Sequence, residues 1–537
     1  MKPSKPPLPL HPFLISIFPV LSLLASNLPE VRISDSYRSF IMILASATVL
    51  LILLKLLLRD WGKAAILSSL YFTLFFSYGH IYAALKGSVI AGLQIGSHRY
   101  LIIIWLIILA AGTWYVIKWD RPVDRATRIL NILGIVLLIQ PGFILVSSLI
   151  ETGNQSPTNG FIQSHDPETQ EISAGEMPDI YYLIVDAYAR EDILRDQFNH
   201  NNSAFINFLE DRGFYVAEGS TSNYLHTYFS LTSSLNMDYV QNLEMDLSTG
   251  ELGVFVPYIK QSLVRRQLEA LGYSTVAFAT GWVNTEIEDA DYFIAPEMGP
   301  LTEFRIQGGL NAFETMLIHT SMGKIISDLD RLPLNRWLSA RLKNPYDVQR
   351  EIILMIFDRL TVVPSIPGPK FVFAHILSPH SPYLFDSDGS EVDPEGPFTL
   401  SQTDSALTGT EGRVRYRNQL IYINTRVEEV IDAILANSER LPIIILQSDH
   451  GPGEGFSRED PNLQSLEARS AILNAYLLPS DCNRNLYPTI TPVNTFRIIF
   501  NCYFGSSYEL LDEITYFDDI GSHGFELIPV DEVLDSH

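Results

Sequence analysis

Cysteine is nearly absent from this chain, with only Cys482 and Cys502 among 537 residues. That excludes a thiolate zinc cluster and a disulfide-dense scaffold. It leaves either one bridge in an oxidising compartment or two reduced, buried thiols. Acidic residues are scarce in one part of the chain only. Residues 1–150 hold 5 Asp and Glu against 13 Lys and Arg, or +8, whereas the remainder holds 56 against 24, or −32. A basic, apolar front joined to an acidic, polar back is not a simple cytosolic protein. A part carrying −32 repels phosphate backbones, which excludes nucleic acid as the main partner. There is no internal repeat, and no low-complexity segment beyond the Pro-rich N-terminus.

What is abundant at the front is long apolar sequence. Five stretches, near 11–28, 39–58, 64–85, 99–118 and 129–150, fit the length needed to cross about 30 Å of hydrocarbon. The first resembles a signal-peptide core, but no small-residue cleavage site follows it, so it is expected to be retained. Nine Lys and Arg flank the stretches on one side (positions 2, 5, 55, 59, 63, 118, 121, 125 and 128) and four on the other (positions 32, 38, 86 and 99). The richer side is expected to be cytoplasmic, which puts everything after residue 150 outside the cytoplasm. His80 lies within the third stretch, either as a functional group at membrane depth or as a neutral interhelical partner.

Residues 151–176 are polar and aperiodic and read as a solvated linker. From 177 to 537 near-continuous apolar runs alternate with helical patterns. The runs DIYYLIVD (179–186), YSTVAFAT (273–280), KFVFAHIL (370–377) and LPIIILQSD (441–449) suit strands buried on both faces of a mainly parallel sheet. Helical patterns cover 204–214, 260–273 and 417–438. The expected architecture is therefore a five-helix membrane anchor (1–150), a linker, and an α/β domain whose sheet is flanked by helices.

Ligand sites in such sheets lie beyond the carboxyl ends of the strands. There the sequence places Asp186, in LIVDAYAR, and the pair Asp449 and His450, in LQSDHG. Asp186 alone also suits a helix N-cap, but carboxylates and an imidazole at neighbouring strand ends suit a divalent cation. His380, in SPHSPY, falls in a loop after a strand. The segment STSNYLHTYFSLTSSLNMDY (220–239) passes from turn residues into a Ser/Thr-rich helix. A hydroxyl in its first turn meets free backbone N–H groups that favour an alkoxide or a bound phosphate. Thr227 is best placed, with Thr221, Ser222, Ser230 and Thr232 as rivals, and a plain capped helix is the structural alternative.

Together these segments resemble the alkaline phosphatase superfamily in its sulfatase-like membrane branch, which includes lipoteichoic acid synthases and phosphoethanolamine transferases. The resemblance rests on SDHG (448–451), LIVDAYAR, SNYLHTYFSLTSSLNMDY, HILSPHSPYLF, and the stretches 468–479 and 487–505. It implies an alkaline phosphatase-like fold and one divalent metal ion, Mn, Mg or Zn, held by Asp186, Asp449 and His450 with Thr227. It further implies that Thr227 is a nucleophile passing through a covalent ester, and that His380 binds the substrate or protonates the leaving group. The implied substrate is a membrane lipid or lipid-linked envelope glycan, and the implied location is the plasma or inner membrane, with the catalytic domain outside the cytoplasm. A general phosphodiesterase, a sulfuric ester hydrolase-like enzyme and a catalytically silent envelope-binding protein are the alternatives.

Two features depart from the branch. Neither cysteine lies in a C/S-x-P-x-R motif, so ordinary sulfatase activity is not expected. The stretch 451–465 lacks the further histidine of phosphoethanolamine transferases, which leaves a second metal dependent on His523, expected instead on a surface loop.

Overall fold

The computed structural model describes residues 7–28, 31, 33–85, 89–90, 93–94, 97–120, 122–154, 177–296, 312–325, 345–392, 400, 409–453, 456, 461–521 and 524–535. Two compact units emerge, one of residues 1–156, 298–348 and 396–398, the other of 157–297, 349–395 and 399–537. Residues 312–325 and 345–348, expected within the 177–537 domain, thus group with the N-terminal helices. Of the expected linker 151–176, residues 151–154 continue a helix and the rest lies outside the described residues.

The first unit holds α1 (His11–Ser26), α2 (Tyr37–Leu58), α3 (Trp61–Leu85), α4 (His98–Lys118) and α5 (Asp124–Asn154). Four of the five are long and apolar enough to cross a membrane. The exception is α1, whose 16 residues rise about 24 Å, short of the hydrocarbon thickness. It packs against α2, α3 and α5, and its first turn is satisfied from α5. There Asn131 Oδ1 accepts from the Leu10 and His11 N–H groups at 3.0 and 2.9 Å. The faces of α2, α4 and α5 are left largely uncovered, with Leu53, Leu57, Ile107, Ile132 and Phe143 exposed, as lipid-facing surface would be. His80 is exposed on α3.

The helix Ala312–Thr320 also packs on this unit, with Phe313 buried among Val20, Leu24 and Val31. A Cβ at Gly79 would collide with the backbone of His319 and Thr320, so α3 can approach this segment only through a glycine. Arg38 and Glu314 form an ion pair here.

The second unit is built on a seven-stranded sheet of β1 (Ile180–Val185), β2 (Tyr215–Val216), β3 (Ser274–Phe278), β4 (Tyr292–Ile294), β5 (Lys370–Ile376), β6 (Ile443–Gln447) and β7 (Asn474–Leu477), in spatial order β2-β7-β6-β1-β5-β3-β4. All four expected strands are present, and every residue of β1, β5 and β6 is buried. The pairs β1–β5, β1–β6, β3–β5 and β3–β4 are parallel, whereas β6–β7 and β7–β2 are antiparallel, so the sheet is mixed at one edge. The helical pattern over 260–273 is found as the helix Leu263–Ala270, which Ser262 caps by accepting from the Arg265 N–H, with a separate short helix Val256–Lys260 before it.

Four further helices matter for the site: α6 (Thr227–Asn236), α7 (Thr410–Asn437), α8 (Leu463–Ser470) and α9 (Pro492–Tyr503). All of α6 is buried, with α9 packed beside it. Cys482 and Cys502 form a disulfide that ties the turn before α9 to the end of that helix. Of the two states left open by the sequence, the bonded one is found.

Candidate metal centre

Strand order explains why the acidic and imidazole groups meet. β1 lies between β5 and β6 and runs parallel to both. Asp186 at the end of β1 therefore faces the exit of β5, with His380, and the exit of β6, with Asp449 and His450. Ala187 turns the chain sharply after Asp186 with a φ of 63°. The turn is held by Tyr416 of α7, whose hydroxyl donates to the Ala187 carbonyl at 2.8 Å and accepts from the Ala189 N–H at 3.1 Å. Ser448 links it to the next loop by accepting from the Tyr188 N–H and donating to the His450 carbonyl.

His450 Nε2 is the focus of the cluster. Its Nδ1 lies 2.9 Å from the Gly451 carbonyl, which keeps the ring proton on Nδ1 and leaves the Nε2 lone pair facing inward. Around Nε2 are Thr227 Oγ1 at 3.1 Å, Asp449 Oδ2 at 3.4 Å and Asp186 Oδ1 at 3.7 Å. One ligand atom from each of Asp186, Asp449 and His450 lies within 4.8 Å of the other two. Both Asp186 Oδ1 and Asp449 Oδ2 are buried without a hydrogen-bond partner. Two orphaned carboxylate oxygens and an inward imidazole lone pair fit a divalent cation, because a buried anionic oxygen otherwise bears an uncompensated desolvation cost.

Electrostatics separates the two carboxyls. Burial alone would raise Asp186, but His380 and the neighbouring His375 outweigh it and hold the carboxyl well below the ordinary range. Burial and the charge of Asp186 push Asp449 up to about 7. Burial, reinforced by Arg469, keeps His450 well below its usual value and so neutral, as a metal ligand must be.

Thr227 opens α6, and its hydroxyl lies at the end of the helix where backbone N–H groups are free. Its rivals lie elsewhere. Thr221 bonds to Thr515, Ser230 donates to the Tyr224 carbonyl, and Thr232 lies deeper in the helix. The Ser222 N–H is tied to the Ser470 carbonyl. His380 is partly buried on its loop, with Nδ1 2.5 Å from the Ser381 carbonyl and its ring centroid 6.1 Å from that of His450. Gln419 of α7 anchors that loop by donating to the Pro379 and His380 carbonyls. His523 lies outside the described residues.

Two site residues escaped the sequence reading. His375, inside β5, is fully buried with Nε2 3.4 Å from Asp186 Oδ2 and Nδ1 3.1 Å from Thr285 Oγ1. In the tautomer protonated at Nε2 the ring would point a donor at the Asp186 carboxylate. A histidine in an otherwise apolar strand was the available signal. The second residue is Arg469 of α8, whose terminal amino group lies 3.3 Å from His450 Nε2.

No family model matches the sequence, and no curated protein matches it significantly. Among solved structures, the chain is similar to the C-terminal periplasmic domain of EptC from Escherichia coli in complex with Zn, at 12% identity over 68% of this chain and 95% of that one, with a TM-score of 0.41. It is also similar to the C-terminal periplasmic domain of phosphoethanolamine transferase EptC from Campylobacter jejuni, at 12% identity over 63% and 92%, TM-score 0.38. A third similar structure is the integral membrane lipooligosaccharide phosphoethanolamine transferase EptA from Neisseria meningitidis, at 12% identity over 88% and 89%, TM-score 0.33. The chemistry of the site rests on this chain's own residues.

Proposed function

We propose that this chain is a membrane-anchored, divalent-metal-dependent phosphoester transferase or hydrolase that works through a covalent threonine ester. The observation carrying this reading is the convergence of Thr227 Oγ1, Asp186 Oδ1 and Asp449 Oδ2 on His450 Nε2, with both carboxylate oxygens orphaned. Asp186, Asp449 and His450 would hold the cation, with Thr227 beside it. A bound divalent cation supplies Lewis acidity, easing ionisation of a nearby hydroxyl and polarising a phosphoryl oxygen. Thr227 Oγ1, its proton released to water, attacks phosphorus and the bond to the leaving oxygen breaks, while the free N–H groups of α6 face the charged group. His380, in its imidazolium form, gives the leaving oxygen its Nε2 proton while its Nδ1–H stays turned to the Ser381 carbonyl. An acceptor hydroxyl or water then attacks the threonine ester and regenerates Thr227.

With the basic loops between α2 and α3 and between α4 and α5 in the cytoplasm, α5 would deliver the second unit outside it, where a substrate carried on a membrane lipid or lipid-linked envelope glycan meets it. Two observations support that side: the basic flanks, and a disulfide between the only two cysteines, a bond typical of oxidising compartments.

The test is hydrolysis of a chromogenic phosphodiester, phosphomonoester and sulfate ester by the full chain in detergent, with Mn, Mg, Zn or EDTA, beside Thr227→Ala. Metal-dependent phosphoester turnover that Thr227→Ala abolishes is expected. Turnover of the sulfate alone would overturn the substrate class. Absence of both metal binding and turnover would favour a silent envelope-binding protein.

A further inference from the structure

Arg469 is buried, with 6% of its surface exposed, although it carries a permanent charge. Such a guanidinium needs its donors directed at acceptors. Its Nε donates to the Leu225 carbonyl at 2.8 Å, and one terminal amino group donates to the Gly451 carbonyl at 3.1 Å. Leu225 precedes Thr227 by two residues, and Gly451 follows His450. The guanidinium plane is thus fixed between the loop that delivers the threonine and the loop that delivers the imidazole. The Phe456 ring covers it, with the centroid 5.9 Å from Cζ. The remaining amino group lies 3.3 Å from His450 Nε2, the atom on which Thr227 and the two carboxylates converge.

Charge decides what this amino group does in a working site. Asp186 and Asp449 bring two negative charges, which one divalent cation balances. A phosphoryl group under transfer adds further negative charge that the cation alone does not offset. Were His450 Nε2 to hold a cation, its lone pair would no longer be available to this amino group, whose N–H would then suit an anionic oxygen of the substrate. Guanidinium N–H groups match phosphoryl oxygens in both direction and charge.

We infer that Arg469 is a further catalytic residue, binding a non-bridging oxygen of the phosphoryl group as it passes to and from Thr227. It makes and breaks no bond; it stabilises charge that develops on the transferred group. This inference rests on the phosphoester reading above.

The experiment uses the full chain in detergent, loaded with zinc. Inorganic phosphate is titrated by calorimetry, zinc affinity is measured with a competing chelator, and turnover of bis(4-nitrophenyl) phosphate is followed. Wild type is compared with Arg469→Lys and Arg469→Ala. Phosphate affinity should fall at least tenfold in both variants, and kcat/KM by about 10²–10³-fold. Zinc affinity should stay within about threefold, and added guanidinium ion should restore part of the turnover of Arg469→Ala. Wild-type phosphate affinity in Arg469→Lys would overturn the inference. A parallel loss of zinc and phosphate affinity in that variant would also overturn it, reducing Arg469 to a tie between two loops. Should Arg469→Ala fail to fold, Arg469→Lys decides on the same two affinities. A wild-type protein that binds zinc but neither binds phosphate nor turns over the diester would instead overturn the phosphoester reading, and this inference with it.

Discussion

Ser448 and Tyr188, 260 residues apart, join two loops of the candidate metal centre through one hydroxyl. Ser448 Oγ accepts from the Tyr188 N–H at 2.7 Å and donates to the His450 carbonyl at 2.7 Å. The loop leaving β1 and the loop leaving β6 are therefore held in register, which keeps Asp186 opposite His450. Ser448→Ala would leave a buried N–H and a buried carbonyl without this partner, at about 1–3 kcal/mol. The expected result is a lower melting temperature together with weaker zinc binding, both measurable on the purified chain. Unchanged zinc affinity would show that the two loops hold their positions without the tie.

His375 should act on Asp186 without touching substrate. Removing the group that orients a metal ligand typically costs about 10–100-fold in affinity. His375→Phe should show a loss of that size in a chelator competition, and His375→Gln should recover part of it, because an amide can still donate to the carboxylate. Equal losses in the two variants would argue for a packing effect.

Metal affinity should depend on pH through Asp449. With its carboxyl pushed up to about 7, this group holds a proton below that pH, and a cation must displace it. Affinity is expected to rise about tenfold per unit up to pH 7 and level off above. In the metal-free protein the sign is opposite. Asp449 stabilises the fold most at acid pH, and that contribution is lost as pH rises from the ordinary carboxylate range through about 7. Calorimetry in buffers of different ionisation heat would count the released proton; a flat profile from pH 5.5 to 8.5 would contradict the assignment.

The Cys482–Cys502 disulfide closes a loop with a sequence separation of 20. Loops of this length contribute about 3 kcal/mol by restricting the unfolded chain. Replacing both cysteines by serine should lower the melting temperature by several degrees, and reductant should do the same to the wild type. An identical melting curve with and without reductant would mean that the bond adds nothing.

Arg38 and Glu314 are each largely buried, at 17% and 6% side-chain exposure. Removing one side of a buried pair typically costs about 3–5 kcal/mol, whereas removing both partners costs less. Glu314→Ala should therefore destabilise the helical unit more than the double variant with Arg38→Ala. A thermal-melt cycle over the four proteins tests this, and additive effects would mean that the two side chains do not depend on each other.

Much of this protein is legible one segment at a time. Four strands buried on both faces, β1, β3, β5 and β6, write unbroken apolar runs, and the polar residues that end them, Asp186, Asp449 and His450, stand out by contrast. Thr227 is readable because turn residues give way to a helix at that point. The two-residue β2, the three-residue β4 and the four-residue β7 are too short to carry a period, so the antiparallel edge is invisible in sequence.

Partnership, by contrast, is set by tertiary structure. His375 reads as one polar residue in a strand, and only the β1–β5 pairing brings it to Asp186. Arg469 reads as one of many helix arginines until the loops carrying Leu225 and Gly451 close around it. The helix Ala312–Thr320 interrupts the second unit in sequence yet packs on the N-terminal helices, where Gly79 leaves room for its backbone. The sequence by itself determined which groups sit at strand ends and which helices are apolar, because periodicity records how each element is buried. The tertiary structure decided which of those groups share one site, because contacts between residues hundreds of positions apart leave no mark in any local pattern.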